Sequence, residues 1–146
     1  MIKEKIIQGN PLTDMNLKKL IRYLEKKERI DFLILFGSYS QGQSTGLSDI
    51  DFAYYASEEL SFEEESEILY EMGRILNTHE IDLVNLKKIP LKSRYIILYE
   101  GKLIFCRNEE LFYDVKERVT NMYLDYKYYD DIYLSTQEQI LQDEYG

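Results

Sequence analysis

Residues 36–52 read Phe36-Gly37-Ser38-Tyr39-Ser40-Gln41-Gly42-Gln43-Ser44-Thr45-Gly46-Leu47-Ser48-Asp49-Ile50-Asp51-Phe52, and the spacing inside this stretch decides how the rest of the chain is read. An apolar run, Phe32 to Phe36, leads into it, and a second, Phe52 to Tyr55, leads out. The pattern is strand, glycine-rich turn, strand. Because side chains alternate along a strand, Asp49 and Asp51 are expected on one face with Ile50 on the other. Two carboxylates held side by side repel unless a cation lies between them. Taken alone, Asp49-Ile50-Asp51 after Ser48 more often reads as a pair of turn residues. What argues for a site is Gly37-Ser38, ten residues upstream. A missing Cβ at Gly37 lets a phosphate approach the backbone, and Ser38 adds its N–H and its hydroxyl. Residues Tyr39 to Gly42 are then expected to form a helical turn with its N-terminus toward the phosphates.

Upstream, Gly9-Asn10-Pro11 punctuates the chain. A helix follows, capped by Thr13 or Asp14, with Leu17, Leu20, Ile21 and Leu24 on its apolar face and Lys18, Lys19, Lys26 and Lys27 solvated. Downstream, Ser61-Phe62-Glu63-Glu64 is a capping box, and the Glu63 to Glu65 run suits the positive end of the helix dipole. Phe62, Leu69, Met72 and Leu76 are expected to form that helix's core face. Ile81 to Leu86 reads as a third strand with Asp82 inside it. Pro90 fits the first turn of a helix through Tyr99, and Gly101 fits just past its end. Lys102 to Cys106 is a short strand, placed at an edge, and Cys106 reads as a small hydrophobe. Asn108 caps a long helix with apolar residues at 111, 115, 119, 122, 126, 129 and 133. From Val115 the steps alternate between 4 and 3, a coiled-coil-like seam. Its first half is divided between packing on the sheet and docking. Its second half points to a partner or a homodimer. Residues 135–146 read as a polar tail without assigned order, which leaves residues 1–134 as one domain. His79, Arg74 and Arg94 read as loop or pairing residues.

The chain has 146 residues, 45% apolar, with 27 acidic against 18 basic residues and a net charge of −9. That balance disfavours generic nucleic-acid binding. No apolar stretch approaches membrane-spanning length and no secretory signal opens the chain, so a cytoplasmic protein is expected. Asp49, Asp51 and Asp82 are the acids in strand contexts. Brought together at neighbouring strand ends, they require divalent cations, and hard oxygen donors suit Mg²⁺ or Mn²⁺. With one His and one Cys the chain has few zinc ligands. Gly37 to Gly42 has the Walker A glycine spacing, but Gln43-Ser44 follows in place of lysine, and no G-x-G-x-x-G is present.

Gly37-Ser38, ten intervening residues, Asp49-Ile50-Asp51 and a later strand aspartate resemble the signature of the DNA polymerase beta-type nucleotidyltransferase superfamily. With Glu80 to Leu86, Arg94 to Phe105 and Tyr123 to Tyr126, residues 29–127 resemble the minimal nucleotidyltransferase antitoxins of HEPN/MNT toxin–antitoxin pairs. The resemblance implies an α/β (α+β) nucleotidyltransferase fold: a small mixed sheet of about four strands flanked by helices, with a long C-terminal helix. It implies a protein adenylyltransferase that moves AMP from ATP to a tyrosine of a HEPN ribonuclease toxin. Asp49, Asp51 and Asp82 would be catalytic and hold Mg²⁺, with Asp82 also helping to deprotonate the acceptor. Gly37 and Ser38 would hold the β- and γ-phosphates. Many relatives carry arginines after Gly-Ser, whereas Tyr39 and Gln41 stand here. With no room for a further acceptor-binding domain, the acceptor is expected to be a protein. An antitoxin that occludes the toxin without catalysis is the rival reading, and a small-molecule nucleotidyltransferase a third.

Overall fold

The structure, a computed structural model, describes residues 12–39 and 49–145. Four strands, β1 (Phe32–Phe36), β2 (Ile50–Tyr55), β3 (Ile81–Asn85) and β4 (Lys102–Cys106), form one sheet in the order β3-β2-β1-β4. β1 pairs antiparallel with both β2 and β4, while β2 and β3 are parallel. The sheet is therefore mixed, with β4 at an edge, as the sequence implied. A parallel pair needs a crossover, and α2 (Phe62–Leu76) supplies it.

Alternation divides the strands between two cores. Leu33, Leu35, Ile50, Phe52, Tyr54 and Leu83 face α1 (Asp14–Lys26) and α2. Phe32, Ile34 and Ala53 face α3 (Leu91–Glu100) and the start of α4 (Glu109–Tyr145). No polar or charged residue is buried among those described. Tyr54 meets this rule through its hydroxyl, which donates to Glu65.

The helix starts follow local chemistry. The Thr13 hydroxyl accepts from the Asn16 N–H at 3.1 Å, and Asn108 Oδ1 accepts from the Leu111 N–H at 3.2 Å. Ser61 and Glu64 form a reciprocal capping box. At the far end of α1, the Arg107 guanidinium donates to the carbonyls of Leu24 (2.6 Å) and Lys27 (3.3 Å), tying the end of β4 to α1. Pro90 is the residue before α3 rather than within its first turn. Gly101 is needed for space, because a Cβ there would collide with Ile34 and the Ile97 carbonyl.

Two expectations are corrected. Phe62 is 85% exposed and Leu69 37%, and the face that packs is the i, i+4 row Ile68, Met72, Leu76. Phe62 stands in the first turn of α2, outside that row. Residues 135–145 are helical, continuing α4 without a break. Polarity there does not oppose helix: Gln, Glu and Leu are good helix formers and no Gly or Pro intervenes before Gly146. The Thr136 hydroxyl bonds the Ile132 carbonyl at 2.9 Å, and Gln139 bonds Asp143 one turn on at 3.1 Å. No helix among the described residues is long and apolar enough to cross a membrane.

Candidate active site

β1 delivers the chain to Gly37, which starts a short 3₁₀ turn through Tyr39. Gly37 has φ +77°, and a Cβ added there would lie 2.5 Å from Asp51 Oδ2. Conformation and space both demand glycine at this point. The contact also places the Gly37 backbone directly against the Asp51 carboxylate. Of the expected helical turn, only Gly37 to Tyr39 is described. The Ser38 hydroxyl and residues Ser40 to Ser48, Gln41 and Gly42 among them, lie outside the described residues.

Asp51 is the register partner of Phe36 on one side and of Asp82 on the other. Adjacent strands run about 4.8 Å apart, so in-register partners point the same way as close neighbours. Asp49 immediately precedes β2 and is exposed, as is Asp82, while Asp51 is half-buried. Burial, then the charges of Asp82 and Asp49, push the Asp51 carboxyl above its usual range. All three influences disfavour its ionised form. No Lys or Arg forms an ion pair with Asp49, Asp51 or Asp82 among the described residues.

Glu80 extends the acidic group, and sequence reasoning passed over it. Burial, Glu80 and Asp49 together raise the Tyr39 phenol, which puts all three in one neighbourhood. The parallel register explains why. Ile50 pairs with Ile81 and Asp51 with Asp82, and the Ile50 N–H donates to the Glu80 carbonyl at 2.9 Å. Glu80-Ile81-Asp82 thus runs alongside Asp49-Ile50-Asp51, and that repeated acid-Ile-acid pattern was the available signal.

A cluster of acids with a raised carboxyl suits a hard divalent cation. Among the described residues the acids are not already closed into a three-donor metal cage. What calls for a cation is therefore the uncompensated charge, not a finished coordination shell. A cavity of about 690 Å³ opens between the end of α2 and the start of β3, lined by Tyr70, Arg74, His79 and Glu80 but by none of the three aspartates. His79 lies in the α2–β3 loop, Arg74 pairs with Glu71 at 2.8 Å, and Arg94 donates to the Ile89 carbonyl at 2.9 Å. All three behave as the loop or pairing residues expected.

Residues 18–110, which include Gly37 and every acid discussed, match the family described as Polymerase beta, Nucleotidyltransferase. The chain belongs to this family. Among its curated relatives, protein adenylyltransferase MntA of Shewanella oneidensis is 29% identical over 104 residues, 69% of this chain and 74% of MntA. A toxin–antitoxin crystal structure with AMP-PNP is similar at TM-score 0.61 and 26% identity, over 91% of this chain and 98% of the matched one. The MNT antitoxin solved with a tri-AMPylated Shewanella oneidensis HEPN toxin shares the fold, with TM-score 0.56 and 24% identity over 88% and 94% of the two chains. The nucleotidyltransferase fold and the likeness to MNT antitoxins implied by the motif are thus both found.

Proposed function

We propose that this nucleotidyltransferase is an antitoxin that transfers AMP from ATP to a tyrosine of a partner HEPN ribonuclease and so silences it. The observation that carries the reading is the in-register pair Asp51 and Asp82, beside the Gly37 backbone and with no ion-paired cation among the described residues. Its support from relatives is the similarity to an adenylyltransferase and to a toxin–antitoxin solved with AMP-PNP.

Asp49, Asp51 and Asp82 would hold Mg²⁺, which when bound supplies positive charge to the triphosphate and to the oxygens of the transfer step. Gly37, with no side chain, would let a phosphate come close to the backbone beside Asp51, and the Ser38 N–H would be a donor to it. Asp82, exposed at the strand edge, accepts the proton of the acceptor hydroxyl. The acceptor oxygen then bonds to the α-phosphorus while the bond to the pyrophosphate oxygen breaks. A tyrosine on a separate protein would reach the exposed Asp49 and Asp82.

Incubation with ATP, Mg²⁺ and the cognate HEPN protein is expected to add one or more AMP masses to the toxin in intact-mass spectra. Neutralisation without any adduct would reject the enzymatic reading. Tyr39 beside Asp49 and Glu80 favours the rival, an antitoxin that only occludes its toxin, because the phosphate side carries a phenol and an extra carboxylate where a cation is useful. Under that rival, Asp49→Asn with Asp51→Asn leaves neutralisation intact. Under the proposed reading it is lost.

A further inference from the structure

Away from the acids, α4 leaves the domain. Val115 and Val119 are buried against the second core, yet Met122, Tyr126, Tyr129 and Tyr133 are each more than half exposed. An isolated helical segment is marginal in water, and a continuous apolar stripe on one signals something that covers it. Beside the point where α4 leaves, a cavity of about 240 Å³ is lined by Tyr55, Lys87, Arg94, Val115, Arg118 and Met122. Lys87 Nζ donates to the Ser57 carbonyl at 3.0 Å and sits over the Tyr55 ring. No carboxylate forms an ion pair with Lys87, Arg94 or Arg118 among the described residues. In a chain of net charge −9, this pocket gathers three cationic groups that no close ion pair neutralises among the described residues.

We propose that a second copy of this chain supplies both the cover and the anion, through an antiparallel pairing of the two α4 helices. The seam Val119, Met122, Tyr126, Tyr129, Tyr133 continues at the same spacing to Thr136 and Ile140. An antiparallel two-fold centred near Asp131 sets Tyr129 against Tyr133, Tyr126 against Thr136 and Met122 against Ile140. Each pair joins one residue from each of the two alternating seam rows, as antiparallel coiled coils require. The next turn brings the Glu144 end of one helix level with Arg118 of the other, at the mouth of the cationic pocket. From Tyr128 to Glu144 the helix carries five acids and no base, and its C-terminal end adds dipole charge of the same sign. The match is isologous, so both pockets are filled at once. Asp130 lies near the axis, where two like charges meet and oppose the pairing.

The pairing is independent of AMP transfer and is tested on the full chain alone. Sedimentation velocity is expected to show a concentration-dependent dimer, weakened by Arg118→Glu, recovered when Glu144→Arg is added, and strengthened by Asp130→Asn. In a Cys106→Ser background, Met122→Cys with Ile140→Cys is expected to give a disulfide-linked dimer on oxidation, and neither single variant is. Both positions are exposed, and circular dichroism checks that the variants fold. A chain that is monomeric at all concentrations overturns the proposal, including one whose α4 engages only a HEPN protein. Cross-linking by a single variant overturns the antiparallel register.

Discussion

The two ends of β2 carry opposite unpaid charge. At its start, Asp49 and Asp51 meet Asp82 and Glu80 with no base paired to the aspartates among the described residues. At its finish, Tyr55 lies beside Lys87, Arg94 and Arg118, none of them in an ion pair among the described residues. Five steps of strand separate the two, roughly 17 Å. The interior between them holds no buried charge among the described residues, so folding has confined the imbalance to the strand ends. A net charge of −9 therefore conceals a polarised molecule. Each end is the one where the proposals above set an external partner: a cation with its nucleotide at one, carboxylates of a second chain at the other.

The largest expected effect breaks the acidic end. Asp51→Asn should lower AMP transfer by at least about 10²-fold, the scale of losing one electrostatic stabiliser of a transition state. The same variant should be more stable than the wild type in metal-free buffer, because it removes a half-buried charge that its neighbours repel. Thermal unfolding beside the mass assay separates the two consequences. A fall in both activity and stability would mean that Asp51 holds the fold together and that the acidic end carries no uncompensated charge.

A pH series sharpens the same point. The folded-state pKa of Asp51 is raised by burial, by Asp82 and by Asp49, so the native state binds more protons than the unfolded chain. Stability contributed by the protonated group is present at low pH and is lost as pH rises from the ordinary carboxylate range through the raised value. Metal-free wild type is therefore expected to show this loss in urea titrations across that window. Asp51→Asn should lack this component, and added Mg²⁺ should oppose it. Gly37→Ala acts on the neighbouring backbone, placing a Cβ against Asp51 Oδ2 at positive φ, and should destabilise by about 1–2 kcal/mol.

The features that were legible in the sequence are those that depend on short spacing. Gly37, Asp49 and Asp51 are fixed by one strand-turn-strand pattern, and Ser61 with Glu64 by a capping box. Asp82 stood out as an acid in an apolar alternation. Glu80 did not, because its place beside the site follows from which strand pairs with β2 and in what register. The same holds for Arg107, whose bonds to the end of α1 bridge about eighty residues. Phe62 and Leu69 misled because apolar character was read as burial, whereas the row that meets the sheet starts at Ile68. The helix beyond residue 134 was missed because polarity was read as absence of order, although the propensities and the continuing seam both favoured helix.

The smallest predicted effect lies at the cationic end. Arg118 is exposed and its side chain forms no hydrogen bond or ion pair among the described residues, so its removal takes no such contact from the monomer. Arg118→Gln should change stability by less than about 0.5 kcal/mol. Arg94→Gln differs, because it removes the part-buried bond to the Ile89 carbonyl and should cost about 1 kcal/mol. Both are to be measured by urea unfolding at low protein concentration, where self-association contributes little. Equal losses for the two would mean that Arg118 is already engaged within one chain, and the pocket would then have no charge to offer a second. A neutral Arg118→Gln beside a costly Arg94→Gln leaves Arg118 charged for a contact outside the monomer.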